Sequence, residues 1–571
     1  MRNEELISGA EALMRSLQAE GVSTIFGYPG GSIMPVYDAL YDYTRGEKRA
    51  FDHILVRHEQ AAVHAAQGYA RVSGDVGVAI VTSGPGATNT LTGVADAMLD
   101  STPVVIIAGQ VGIGALGTDA FQEVDLVGVA QPISKWSYQI RRAEDVAWAV
   151  SRAFYIARSG RPGPVVLDFP KNAQMHTCEW HPARVTNVRS YQPYPELNEE
   201  AVSAAAELIN HAERPFALVG QGVELGNAQA ELRTFLEKAG IPAGRTLLGL
   251  SALPTDHPLN MGMLGMHGNY APNLKTQECD VLIAIGMRFS DRVTGLVSAY
   301  AQQAKIIQLD IDPSEIDKNI QVDIAVVADC KESLPAITAQ LKANNHKAWC
   351  DSFRPLEEME YSRVVRPAIH PDGGPLLMGE VVHAVAEATH GDAVLVNDVG
   401  LNQMFSSRYF RYNQQRSVVT SGGLGTMGFG LPAAVGATYG TQRTVCLFTG
   451  DGGFQMSIQE LGTIMEQQAP VKMILLNNQY LGNVRQWQDL YYERRHSFTD
   501  MLNPRYELIA KGYGIPYDLV TDRKDLDAKV EQMLSTDGPY ILECAVRPEE
   551  NVLPMIVPGK RVDEMVLELD I

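Results

Sequence analysis

Residues 444–487 read TVCLFTGDGGFQMSIQELGTIMEQQAPVKMILLNNQYLGNVRQW. The stretch opens on a short apolar run, Val445–Phe448, of the kind that forms a strand buried on both faces. Gly450-Asp451-Gly452-Gly453 is too polar and too turn-prone to extend that strand. A helical pattern begins near Ser457, and a second apolar run, Val471–Leu476, ends at Asn477-Asn478. The unit reads as strand, turn, helix, strand. In a right-handed parallel crossover, Asp451 and Asn478 stand at carboxyl ends of strands on one edge of the sheet, where open α/β sheets take their ligands.

Working outward, the same rhythm fills the chain. Ile54–Val56, Gly77–Val81, Val104–Ala108 and Val165–Leu167 read as buried parallel strands in a block spanning 1–185. PFALVGQG, VLIAIGMRF, KIIQLDID and DIAVVADC repeat the pattern over 198–345, and a third block spans 370–560. The polar, proline-bearing stretches 178–197 and 346–375 read as linkers, the chain closes in a polar tail, and no internal repeat is visible. The fold class expected is α/β, with three open parallel-sheet domains. The N-terminus, from Met1, enters an amphipathic helix at once and has neither signal nor transit character.

Composition narrows the function classes. Of 571 residues 45% are hydrophobic and 20% charged, as in an ordinary globular protein. A net charge of −20 argues against nucleic acid as a main partner. No apolar run is long enough to span a membrane. The six cysteines include no Cys-x-x-Cys pair, which suits a reducing compartment and offers no zinc site, so a cytoplasmic location is expected.

The chemistry at 450–478 follows from residue types. Asp451 offers a carboxylate and Asn478 an amide oxygen, hard ligands of the sort magnesium shares with substrate phosphates. The glycines admit a diphosphate to the backbone, and a helix N-terminus favours its charge. An ordinary Asp-Gly loop is the bland alternative. The strand on each side and the terminal Asn-Asn distinguish this case, and the pattern resembles the diphosphate motif of thiamine diphosphate (ThDP) enzymes. That resemblance gives a role to Glu59, in RHEQAAVHAAQGYAR, which alone would read as a helix-dipole carboxylate. In ThDP enzymes this glutamate bonds the coenzyme's pyrimidine and activates the thiazolium carbon. Ser83 and Asn89 in SGPGATN, and Gly31 in the turn GYPGG, belong to the same expected site. In SGGLGTMGFGL, Met427 is the expected wedge beneath the coenzyme, with the Gly425 carbonyl accepting from its amino group. Taken alone, Met427 would read as a core residue.

The whole chain, from about Glu5 to Glu564, resembles the catalytic subunits of the acetohydroxyacid synthase family. Its selective stretches include TSGPGATN, GTDAFQE, SGRPGPVVLDFPK, GMLGMHG, RFSDRVTG and NVRQWQDLYY. The resemblance implies a pyruvate-oxidase-like architecture of pyrimidine-binding, FAD-type and diphosphate-binding domains. It implies ThDP, Mg2+ and FAD as cofactors, and transfer of a two-carbon unit from pyruvate to pyruvate or 2-oxobutyrate in branched-chain amino-acid synthesis. The metal ligands it implies are Asp451, Asn478 and Tyr480. Gly400, Leu401, Asn402, Gly450, Gly452, Gly453, Leu481 and Gly482 would complete the coenzyme site. Arg292 would grip the acceptor carboxylate and Trp487 wall its alkyl group, with Phe121, Gln122 and Lys171 around the reaction centre. FAD would meet Arg161, Gly220, Gly222, Thr246, Leu247, Leu248, Met266, His267, Gly286, Arg288, Arg292, Asp310, Ile311 and Asp329. By itself Gly220-Gln221-Gly222 is weak evidence, because the next glycine is Gly226 and the spacing is not that of the dinucleotide fingerprint.

The sequence departs from the family at Gly400-Leu401-Asn402-Gln403, where GQHQ is usual, at Ser290 in place of aspartate, and at Gly112 in place of a proline common in plant members. A flavin-free catabolic synthase, a pyruvate oxidase, a glyoxylate carboligase and a ThDP-binding scaffold without catalysis are the rival readings. Stretch RFSDRVTG, the pair Arg292 and Trp487, and Glu59 weigh against the first three, and intact Glu59, Asp451 and Asn478 against the last. The resemblance further implies a homodimer with sites at the interface, Glu59 and Asp451 of one site coming from different chains, and a separate small regulatory subunit.

Overall fold

A computed structural model describes residues 6–569. It contains three six-stranded sheets, each wholly parallel, and one two-stranded antiparallel pair. The N-terminal sheet runs, edge to edge, Asp52–Leu55, Thr24–Gly27, Gly77–Val81, Val104–Gln110, Pro164–Pro170, Trp136–Gln139. The C-terminal sheet runs Val418–Val419, Val394–Asn397, Val445–Gly450, Val471–Asn477, Tyr540–Ala545, Tyr517–Val520. Numbered from their own first strands, both have the order 2-1-3-4-6-5. The two outer domains are thus a structural repeat that the sequence does not display.

The central sheet is different. Its order is Asn260–Met263, Ala243–Arg245, Pro215–Val219, Val281–Ile285, Lys305–Asp310, Ile324–Val327. Numbered from its own first strand this is 3-2-1-4-5-6, the dinucleotide-binding order, whose direction reverses between Pro215–Val219 and Val281–Ile285.

The outer domains pack on each other through helices Glu59–Ser73 and Gly430–Gly440. Their facing residues are small: a Cβ at Gly68 would lie 2.0 Å from the Ala433 carbonyl oxygen, and one at Gly436 1.8 Å from that of Ala65. The alanine face of the first helix exists to let the second approach at backbone distance. One hydrophobic core runs through both domains as a result.

Several expectations need correction. The described chain begins with strand Leu6–Ser8, paired antiparallel with Thr177–Glu179, and its first helix starts only at Gly9, where Ser8 caps it. The start of the helix expected from Met1 lies outside the described residues. Cys178 and Glu179 are therefore strand rather than linker. The GDGG turn is tighter than it reads, since the strand extends through Gly450 and a helix begins at Asp451. The stretch 346–375 is not irregular: helical turns run from Lys347 to Ile369, with only Ser352–Phe353 between them and a π-helical turn at Tyr361–Val365. Trp349 is buried against Phe353, which lies between two turns and packs on Phe216, and Glu360 makes a buried ion pair with Arg408. The polar tail, finally, buries Val552, Met555, Ile556, Val562 and Met565, and it returns to the central domain. Among the described residues no helix is long and apolar enough to cross a membrane.

Candidate active site

The diphosphate motif stands where three adjacent strands of the C-terminal sheet end. Strand Val394–Asn397 leads to helix Leu401–Tyr409, capped by Gly400. Val445–Gly450 leads to Asp451–Met456, and Val471–Asn477 to Gly482–Tyr491 behind Leu481. Three helix starts thus face one crevice, at the point where the strand order reverses, and their free N–H groups favour an anion.

Within it the expected ligands meet. The Asn478 amide oxygen lies 3.2 Å from Asp451 Oδ1 and 3.0 Å from the Tyr480 carbonyl oxygen. Turned over, the amide would donate to both oxygens; as oriented it is a third oxygen among acceptors. Turning the amide over relieves the repulsion within this cluster, and so would a cation between its members. Octahedral magnesium at about 2.0–2.1 Å from each oxygen places adjacent ligands about 2.9 Å apart, close to these separations. Asn503 fixes the carboxylate by donating to Asp451 Oδ2 (2.6 Å) and to Asn477 Oδ1 (2.9 Å), which leaves Oδ1 for the cluster. Burial raises the Asp451 carboxyl above its ordinary range, and only the Asn503 donation and nearby N–H groups oppose it. The donor set fits a magnesium diphosphate.

Around this crevice, Leu401 is turned into the core against Gly482. Asn402 is buried, donating to the carbonyls of Asp398 and Phe448. The Met427 methyl would meet a Cβ at Gly452 at 3.5 Å, which sets the methionine over the same motif, and Gly425 is exposed at φ +71°.

The N-terminal residues collect on the carboxyl edge of the N-terminal sheet. Glu59 follows its strand as the first residue of a helix capped by His58, and Asn89 donates to its Oε2 at 2.9 Å. Gly31, Ser83, the Phe121-Gln122 turn and Lys171 follow the neighbouring strands. The Ser83 hydroxyl is buried without a partner among the described residues. Phe121 is 87% exposed and Lys171 is exposed. Among the described residues no hydrogen bond or ion pair joins Glu59 to Asp451.

The central residues line a cavity of about 600 Å3 along the carboxyl edge of the middle sheet. Arg161, Gly222, Thr246, Leu247, Leu248, Met266, His267, Gly286, Arg288, Arg292, Asp310, Ile311 and Asp329 all face it. Gly220 lies behind, where the two central strands touch: its Cβ would meet the Gly286 carbonyl at 2.2 Å, and that of Gly222 the Gly286 Cα at 2.6 Å. Gly425 and Trp487 of the C-terminal domain close the far end. Among the described residues His267 Nδ1 and Glu315 Oε2, both on the wall, are buried without partners, and Asp310 is pushed up to about 6 by burial. The strand order, the glycine contact at the switch point and these orphaned groups fit a dinucleotide.

Residues 7–129 match the N-terminal TPP binding domain of thiamine pyrophosphate enzymes, 202–337 their central domain and 398–544 their C-terminal TPP binding domain. The chain is 42% identical over 565 residues to the acetolactate synthase isozyme 2 large subunit of Escherichia coli K12, covering 99% of this chain and 100% of that one. The chain belongs to the acetolactate synthase large-subunit family. A probable acetolactate synthase large subunit of Methanocaldococcus jannaschii is 42% identical (98% and 95% covered), and a chloroplastic acetolactate synthase of Nicotiana tabacum 41% (99% and 86%). As a member of this family the protein is a thiamine-diphosphate-dependent enzyme.

Sequence reasoning missed Asp398, which follows the strand Val394–Asn397 and accepts N–H bonds from Val399, Gly428 and Gly430 on either side of the crevice. Its signal was there: like Asn477-Asn478, Asn397-Asp398 is a polar pair closing an apolar run. Glu460, which accepts from the Arg57 N–H across the domain boundary and is pushed up to about 7 by burial, left no such mark.

Proposed function

We propose that this chain is the catalytic subunit of an acetolactate synthase. It would take a two-carbon unit from pyruvate, with loss of carbon dioxide, and join it to pyruvate to give 2-acetolactate or to 2-oxobutyrate to give 2-aceto-2-hydroxybutyrate. These are steps of branched-chain amino-acid synthesis. The observation carrying this reading is that Arg292 of the central domain and Trp487 of the C-terminal domain line one cavity together with Gly425. A synthase needs an acceptor site beside the coenzyme, and this pair offers a carboxylate grip and an apolar wall there. The Arg292 side chain is 67% exposed and among the described residues is tied only to Asp291, at 3.6 Å, so its fork is free to turn to a substrate.

Bound thiamine diphosphate supplies the carbanion chemistry. Asp451, Asn478 and the Tyr480 carbonyl would hold Mg2+, and the helix starts at Leu401, Asp451 and Gly482 would take the diphosphate. Glu59, fixed by Asn89, would hold a proton at the pyrimidine nitrogen, and Met427 would keep the coenzyme bent. The central cavity would hold FAD in a structural role. The exposed Phe121, Gly31 and Lys171 support a homodimer in which one chain's Glu59 edge meets the other's Asp451 crevice. A separate small subunit is expected because the relatives are named large subunits.

The test is a pyruvate assay with ThDP and magnesium, with and without FAD. Acetolactate formed only with FAD supports the reading. Flavin-independent acetolactate would point to a catabolic synthase, and acetate or acetyl phosphate with flavin reduction to an oxidase.

A further inference from the structure

The segment Ser421–Gly428 reads SGGLGTMG, with four glycines in eight residues and no helix or strand of its own. Such a chain has more conformational freedom than most and cannot hold a side chain in place unaided. Yet it carries Met427 and Gly425, and it walls the central cavity at Ser421–Gly425. Its anchors come from the other domain. Helix Leu91–Leu99 of the N-terminal domain and the residue after it present two carboxylates four residues apart, Asp96 and Asp100, both fully buried. Asp96 accepts from the Ser421 and Thr426 hydroxyls, the latter at 3.1 Å. Asp100 accepts from the Gly422 N–H at 2.8 Å and the Gly423 N–H at 2.7 Å. Arg71 closes the cluster, with one nitrogen on Asp100 (2.8 Å) and another on the Thr420 carbonyl (2.6 Å).

Domain docking alone does not call for this. The close helix crossing at Gly68 and Gly436 already joins the two domains through apolar contact. Burying two carboxylates against one guanidinium is expensive, and burial raises both acids above their ordinary range. The return on that cost is the geometry of one glycine-rich segment. Its opposite shoulder is held in the same way, by Asp398 on the Gly428 and Gly430 N–H groups.

We propose that Asp96 and Asp100, joined by Arg71, are positioning residues for coenzyme activation: they fix the Ser421–Thr426 segment so that Met427 and the Gly425 carbonyl stand correctly at the thiamine. The inference rests on the functional reading above. It separates these residues from the coenzyme-binding groups, because removing them should leave the magnesium crevice intact.

The experiment uses the full-length protein loaded with thiamine diphosphate, magnesium and FAD. It measures by NMR the exchange of the proton on the thiazolium carbon for deuterium, with coenzyme affinity, flavin content and melting temperature alongside. Asp100→Asn should slow exchange at least tenfold while coenzyme affinity changes less than threefold and flavin content is kept. Thr426→Val, which removes a single hydroxyl from Asp96, should slow it about threefold. A purely structural role would lower the melting temperature and leave exchange in the folded, loaded protein within twofold of wild type, and that result overturns the proposal. If Asp100→Asn does not fold, Thr426→Val decides: slowed exchange supports the proposal and unchanged exchange refutes it. Wild-type protein that exchanges no faster than free coenzyme would overturn the functional reading itself, and this inference with it.

Discussion

Replacing Gly436 with alanine tests how the two outer domains are held. The new Cβ would sit 1.8 Å from the Ala65 carbonyl oxygen and 2.5 Å from its carbon, both backbone atoms that no rotamer can move. A carbon–oxygen contact needs about 3.3 Å, so the helices Glu59–Ser73 and Gly430–Gly440 must part by roughly 1.5 Å at this point. A gap of that size forfeits more than a quarter to a half of the dispersion attraction across the crossing. Overpacking of a tight core costs about 1–3 kcal/mol, and the upper end applies where only backbone can yield. The better helix propensity of alanine returns about 1 kcal/mol. The expected net loss is about 2 kcal/mol, read as a lower midpoint in equilibrium urea unfolding followed by fluorescence. Gly512→Ala is the control, since its Cβ would meet nothing within 4 Å, and it should not lose stability. Equal midpoints for Gly436→Ala and wild type would refute the reasoning, because the close approach could then not be what joins the domains.

Asp451→Asn removes the only formal charge from the oxygen cluster, so coenzyme binding should weaken at least tenfold in magnesium and lose most of its magnesium dependence, as a fluorescence titration would report. Asp398 is held near pH 6 by burial, above its ordinary value of 3.8, so its contribution favours the folded chain below pH 4 and is lost as the pH rises through 6. The stability deficit of Asp398→Asn against wild type should therefore be largest near pH 4 and shrink by up to about 3 kcal/mol by pH 7, measured by urea titration across that range. Trp487→Leu should change the product ratio from mixed pyruvate and 2-oxobutyrate by roughly 10- to 200-fold, because one methylene against such a wall is worth about 1–3 kcal/mol. Gly286→Ala, at φ +57° with the Gly222 Cα 2.6 Å from the new Cβ, should abolish flavin uptake, seen as loss of visible absorbance after reconstitution.

What could be read from the sequence was local. The strand ends at Gly450 and Asn477 announce themselves because an apolar run stops at a polar residue within one or two positions. Glu59 at a helix start is legible for the same reason. Long-range arrangement was not. The 3-2-1-4-5-6 order of the central sheet is a property of pairings between distant segments, and the irregular spacing of Gly220, Gly222 and Gly226 gives no hint of it. The helical turns at Lys347–Ile369 were hidden because charged residues dilute the period set by Trp349, Phe353, Leu356 and Glu360, and Glu360 faces inward only because Arg408 meets it there. Asp96 and Asp100 look like exposed helix charges until the Ser421 segment is laid against them.

The returning tail also bears on how the protein is made. The Ile556 N–H donates to the Met266 carbonyl, and the Lys560 carbonyl accepts from the Leu296 N–H, so residues 552–567 brace the two stretches that carry Met266, His267 and Arg292. These residues leave the ribosome after every strand of the three sheets. The wall of the central cavity is therefore finished only when synthesis has passed them, so a ligand held there meets its complete wall only at the end of translation. A chain cut short near residue 550 would keep every thiamine motif and lose the brace on the wall of its central cavity.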